Sequence, residues 1–181
     1  MKLQDGHLHA WSLYKPITKG HFLRLLASVV VGRILFVKSI TVHLPLEILH
    51  PKQYKNQRLA LCFIEFGQCL RDLTKIKLYW ENAPLLKYGS WDLKYGQNSW
   101  NLIPNDIDLC LDTGHLMLGA KNVHIARKRI KEVILQRGSQ IKHLHIHENN
   151  LRNDSHNKIG KIVNAKIFSE IIKDKSYIFE P

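Results

Sequence analysis

The sequence predicts an α/β chain of (β/α)-barrel type, with about six βα units of the usual eight. Three observations carry that expectation. Short strand-like runs alternate with amphipathic helical runs along the chain. A carboxylate or imidazole closes each strand-like run, at His9, His43, Glu81, Asp112, His145 and Glu180, at intervals of 34, 38, 31, 33 and 35 residues. Finally, 181 residues suffice for one good-sized core, whereas a complete eightfold barrel takes about 250. The expectation is therefore one partial barrel domain spanning residues 1–181. A solenoid of similar period would repeat an apolar consensus, and none recurs.

The strands expected in order are GHLHAW (6–11), SITVHL (39–44), KIKLYWE (75–81), DIDLCLD (106–112), IKHLHIH (141–147) and SYIFE (176–180). Helical periodicity falls between them, at about 20–36, 53–73, 122–137 and 164–174. The segment 84–104, rich in Trp, Gly, Asn and Pro, reads as a long loop with room for one short helix. In a (β/α) barrel the active site is built at the C-terminal tips of the strands, which is where the six polar residues fall.

Composition narrows the function classes. The 45% hydrophobic and 23% charged fractions exclude a disordered chain. The apolar run from Phe22 is broken by Arg24 and Arg33 and is shorter than the ~20 residues a bilayer span needs. No basic-then-apolar leader opens the chain. Cys62, Cys69 and Cys110 make no metal-ligand spacing and leave an odd count, which fits a reducing compartment. Cys62 and Cys69, seven apart, share a helix face and are expected to be core thiols. A soluble cytoplasmic protein without membrane attachment is the expectation. The net charge of +12 permits an anionic partner, although Lys and Arg are spread along the chain rather than gathered in a block.

The strand ends carry the chemistry. In LYWENAP, Glu81 closes an apolar strand, where a buried carboxylate must be paired, hydrated or metal-bound; a loop-facing Glu is the plain alternative. In DLCLDTGHL, Asp112 is followed three residues later by His115, past a glycine that permits a tight turn. Together they offer oxygen and nitrogen ligands of the kind that suit Zn²⁺ or Mn²⁺, or else a helix-capping Asp beside a hydrogen-bonded His. HLHIHENN sets His143, His145 and His147 on one strand face. His145 lies at the strand end, and the other two read as structural or rim histidines. Asp154 and His156 follow in the next loop, and Glu180 closes YIFEP.

In this order, WENAP, LDTGH, HIHENNLRNDSHNKIG and IFEP resemble the xylose-isomerase-like TIM-barrel superfamily. It contains sugar and sugar-phosphate isomerases and epimerases, and the abasic-site repair enzyme endonuclease IV. The resemblance spans nearly the whole chain. It implies that Glu81, Asp112, His145 and Glu180 hold one divalent ion (Zn, Mn or Mg). It further implies that Glu81 and Glu180 transfer protons on a small sugar or sugar phosphate; beside them, His115 is expected to position a substrate oxygen. His9, His43, His115, Asp154 and His156 match additional ligand positions, with His7 an equally near choice for His9. The wording of the motifs is closer to the isomerases, since the repair enzyme favours a Cys before the second motif's His and Asn-Asp after the third motif's. By the same alignment one strand before His9 and the last βα unit after Glu180 are missing. A fragment, a degenerate product or half of a paired assembly would fit that, and exposed sheet edges invite self-association. Two rival expectations stand beside the isomerase: a multi-zinc hydrolase of abasic DNA, drawn by the +12 charge, and an inactive barrel remnant.

Overall fold

The structure is a computed structural model that describes residues 2–4, 6–10, 15–52, 54–83, 86–87, 90–91 and 100–180. The chain divides into two compact units, residues 1–83 with 99–108, and residues 84–98 with 109–181.

In the first unit, strand β1 (Lys2–Gln4) runs antiparallel to β2 (His7–His9). Helix α1 (Lys19–Ile34) leads to β3 (Ser39–His43), a single helical turn α2 (Leu46–Leu49) follows, and α3 (Gln57–Thr74) leads to β4 (Lys77–Glu81). Strands β2, β3 and β4 are parallel and in register, with His9 beside Thr41 and His43 beside Glu81. Alternation along each strand sorts its side chains into two faces. Leu8, Ile40, Val42, Leu78 and Trp80 form the apolar set and are buried. Phe63 of α3 meets Trp80 edge-on at 5.7 Å. Burying the Phe63 ring contributes about 1.5–3 kcal/mol. Gly67 lets the helix come this close, since a Cβ there would overlap the Trp80 indole. The opposite strand face carries His7, His9, Ser39, Thr41, His43, Tyr79 and Glu81.

The α3 stripe that faces inward is Ala60, Phe63, Ile64, Gly67 and Leu70. Cys62 and Cys69 do share a face, as their spacing requires, but it is the outer one: both are exposed, and only Cys110 is buried. The core-thiol expectation is thus corrected. Periodicity says which residues share a face, not which face turns inward.

The second unit contains a two-stranded antiparallel hairpin, β5 (Leu86–Lys87) with β6 (Ser90–Trp91), inside the segment expected as a long loop; most of that segment lies outside the described residues. Then come β7 (Leu109–Asp112), α4 (Thr113–Met117), α5 (Val123–Arg137), β8 (Ile141–Ile146), α6 (Ala165–Ile171) and β9 (Ser176–Phe179). Strands β7, β8 and β9 are parallel, with a register shift between Leu109 and Cys110. Asn122 and Asn164 cap α5 and α6, their side chains accepting the N–H of Ile125 (3.0 Å) and Ile167 (3.1 Å). Strand β7 starts three residues later than the sequence suggested, because a turn at 105–106 and a bend at Ile107 precede it. Among the described residues, three parallel strands in each unit reproduce the six expected, and the architecture is α/β, consistent with an incomplete (β/α) barrel. No described helix is long and apolar enough to cross a membrane.

Candidate functional site

In the first unit, three adjacent parallel strands end in His9, His43 and Glu81. Glu81 Oε2 lies 2.8 Å from His9 Nε2 and 3.2 Å from His43 Nε2, and His43 and Glu81 are buried. The two imidazoles meet edge to face at 5.2 Å. His7 sits one layer deeper, its ring nitrogens 2.7 Å from both Ser39 Oγ and Thr41 Oγ1. Of the two histidines that were equally near choices, His9 is thus the one against Glu81.

The second unit gathers the remaining expected residues. Asp112 ends β7 and caps α4, its Oδ1 accepting the His115 N–H at 2.7 Å. The capping role and the proximity of His115 both hold, for His115 Nδ1 stands 3.6 Å from Asp112 Oδ2. His115 Nε2 lies 3.3 Å from Asp154 Oδ2, and His156 Nε2 lies 3.4 Å from the same oxygen. His145, at the end of β8, places Nδ1 3.2 Å from Glu180 Oε1, and His156 Nδ1 is 3.8 Å from Glu180 Oε2. His143, one layer deeper, has Nδ1 2.7 Å from Ser176 Oγ. This repeats the His7–Ser39 arrangement of the first unit.

His147 is the residue that sequence reasoning set aside. It is buried, not at a rim, with Nε2 3.1 and 3.2 Å from the two Asp112 oxygens. Thr113 Oγ1 donates to the His147 carbonyl at 2.8 Å and accepts its N–H at 3.2 Å, pinning the chain just beyond the strand. The His156 ring stacks on it at 4.1 Å. Gly114 has a packing reason different from the turn expected of it: it lies within α4, and a Cβ there would overlap the His147 ring.

Electrostatics follow from these contacts. Burial alone would lower the His147 pKa, but the charge and hydrogen bond of Asp112, helped by Asp154, raise it to about 9. Burial alone would raise Asp154; its hydrogen bond to His115 and the charges of His115 and His147 prevail, holding the carboxyl below its ordinary value.

The donor sets fit a divalent cation. His9 Nδ1 faces the Ala10 carbonyl at 2.9 Å, so that nitrogen carries the proton and Nε2 turns toward Glu81. His147 repeats the pattern, with Nδ1 3.3 Å from the Glu148 carbonyl and Nε2 on Asp112. An imidazole nitrogen aimed at a carboxylate needs a proton or a cation between them. A carbonyl partner on the other nitrogen is the usual support of a metal-binding histidine. Ligand atoms of His9, His43 and Glu81 lie within 4.8 Å of one another, as do those of Asp112, His115 and His147. Asp154 Oδ1 is buried without a hydrogen bond.

No protein-family model matches the sequence, and no curated protein matches it. Among solved structures, the chain is similar to one described as a D-tagatose 3-epimerase-like protein, with a TM-score of 0.62 and 20% identity. That match covers 96% of this chain and 70% of the other. The chain therefore shares the fold of that structure, an incomplete (β/α) barrel with six parallel strands among the described residues.

Proposed function

We propose that the protein is a divalent-metal-dependent isomerase or epimerase acting on a small sugar or sugar phosphate by proton transfer through an enediolate. The observation that carries this reading is the burial of carboxylates directly against imidazoles at the C-terminal ends of parallel strands, Glu81 on His9 and His43, and Asp112 on His147. Burial of so many ionisable groups is costly unless they are paired or serve a bound charge, and their gathering at strand ends favours a functional site. A bound ion would supply Lewis-acid stabilisation of the oxyanion that develops at the substrate carbonyl. Glu81, Asp112, His145 and Glu180 are the proposed ligands. Glu81 and Glu180 are the proposed base and acid, taking a proton from carbon beside the carbonyl and returning one. His115 is proposed to orient a substrate oxygen.

The structural neighbour's description makes ketohexoses the first substrates to try. With Mn²⁺ present, the protein should incorporate deuterium from D₂O beside the carbonyl of a ketose, read by NMR. Glu81→Gln and Glu180→Gln should each slow that exchange by about 10²-fold or more. Exchange unaffected by either substitution would remove the proton-transfer roles.

A second reading, a zinc-dependent hydrolase of abasic DNA, draws support from there being more than one group of three metal-capable side chains among the described residues. It expects two or three zinc ions per chain and strand cleavage at an abasic site, with no sugar exchange.

A further inference from the structure

Glu148 is buried, at 4% exposure, yet it lies outside the imidazole–carboxylate set of the second unit. Its Oε1 accepts three backbone N–H groups, from Gly160 at 2.8 Å and from Ile162 and Val163 at 2.7 Å each. Its own backbone makes a two-way bridge with Asn157, with N–O distances of 2.8 and 2.6 Å. Between these fastenings runs the loop that carries Asp154 and His156.

Two residues of that loop lie in a disfavoured backbone region. His156 has φ 44° and Leu151 has φ 69°, in the left-handed region that a β-carbon disfavours. Backbone of this kind persists only where its surroundings over-determine it. Three N–H groups converging on one carboxylate oxygen make an anion nest with charge-assisted bonds, the strong kind. Gly160, at φ 144°, supplies the turn that aims its N–H inward. Asp154 Oδ1, 3.9 Å from His147 Nε2, has no hydrogen bond; the carboxylate is held through Oδ2, by His115 and by His156 of the same loop, so the loop and His115 together set its position.

We propose that Glu148 is a positioning residue. Its carboxylate fills the nest at residues 160–163 and so latches Asp154 and His156 against Asp112, His115 and His147. That these residues receive a cation rests on the function proposed above; the latch itself does not.

The test compares the metal-free wild-type chain with Glu148→Ala and Glu148→Gln, with and without formate, by amide hydrogen exchange. In Glu148→Ala the amides of Ile162 and Val163 should exchange at least about tenfold faster, while Leu144 and His145 in β8 keep their rates. Formate, small enough for the vacated nest, should restore protection. Titration of the same samples with Co²⁺, followed by its visible absorption, should show affinity about tenfold weaker in Glu148→Ala and recovered by formate. Wild-type protection and Co²⁺ affinity in Glu148→Ala would overturn the proposal, and so would losses that formate does not repair. If the alanine variant does not fold, Glu148→Gln decides, because its amide oxygen still accepts but without charge. Intermediate exchange that formate leaves unchanged supports the latch, and wild-type exchange overturns it. If the wild-type chain binds no Co²⁺, the metal reading fails, and amide exchange alone decides the latch.

Discussion

Gly114 and His147 show how one atom can decide a site. The imidazole occupies the space where any other residue at position 114 would place a Cβ. Gly114→Ala must therefore displace His147 from Asp112, costing about 1–3 kcal/mol as an overpacked contact. Thermal unfolding should register that loss, and cation affinity in the second unit should fall with it; an alanine variant with wild-type values would show that the ring has room to move. His50 makes a different prediction. It is buried, and desolvation holds its pKa at about 4, down from 6.5. Between those two values the unfolded chain binds a proton there that the folded chain does not. Its contribution to stability is thus present above pH 6.5 and is lost as pH falls toward 4, by up to about 3 kcal/mol. Burial raises the Glu47 pKa and so gives the opposite slope, but Glu47 is common to both proteins. The difference between wild type and His50→Gln across pH 4–7 isolates the histidine, and equal slopes in the two would rule the effect out.

At the scale of elements, helix α3 and the β8 terminus show what was legible in the sequence. The strand ends were readable because an apolar run broken by a single carboxylate or imidazole has one economical placement, with the polar tip beyond the buried strand. The inward face of α3 was not, since Leu61 and Leu73 are apolar yet 36% and 80% exposed. A thiol reagent should accordingly label Cys62 and Cys69 in the native chain and reach Cys110 only on unfolding. Protection of all three would restore the core-thiol expectation. His147 escaped because its burial depends on Thr113 and Gly114, more than thirty residues away in sequence. The α2 turn escaped because four residues after a proline are too few for a periodicity. Helix α5, by contrast, was readable at its start: Asn122→Ala should cost about 1 kcal/mol in chemical denaturation by removing the cap on Ile125.

For the molecule as a whole, the fold class followed from the recurrence of one βα period through the chain. No single motif would have carried it. The chemistry is a separate matter, because this fold hosts many reactions and only the site can choose among them. The +12 charge is compatible with a phosphorylated sugar and with DNA alike. Both active readings require a bound metal ion, and the number of ions separates them. The decisive measurement is the metal content of untagged protein after reconstitution, by plasma mass spectrometry. About one Mn or Zn per chain, lowered in Glu81→Ala and in Asp112→Ala, is the predicted result. No metal retained by the wild-type chain would contradict the proposed function outright, leaving the buried histidines as a pattern without its chemistry.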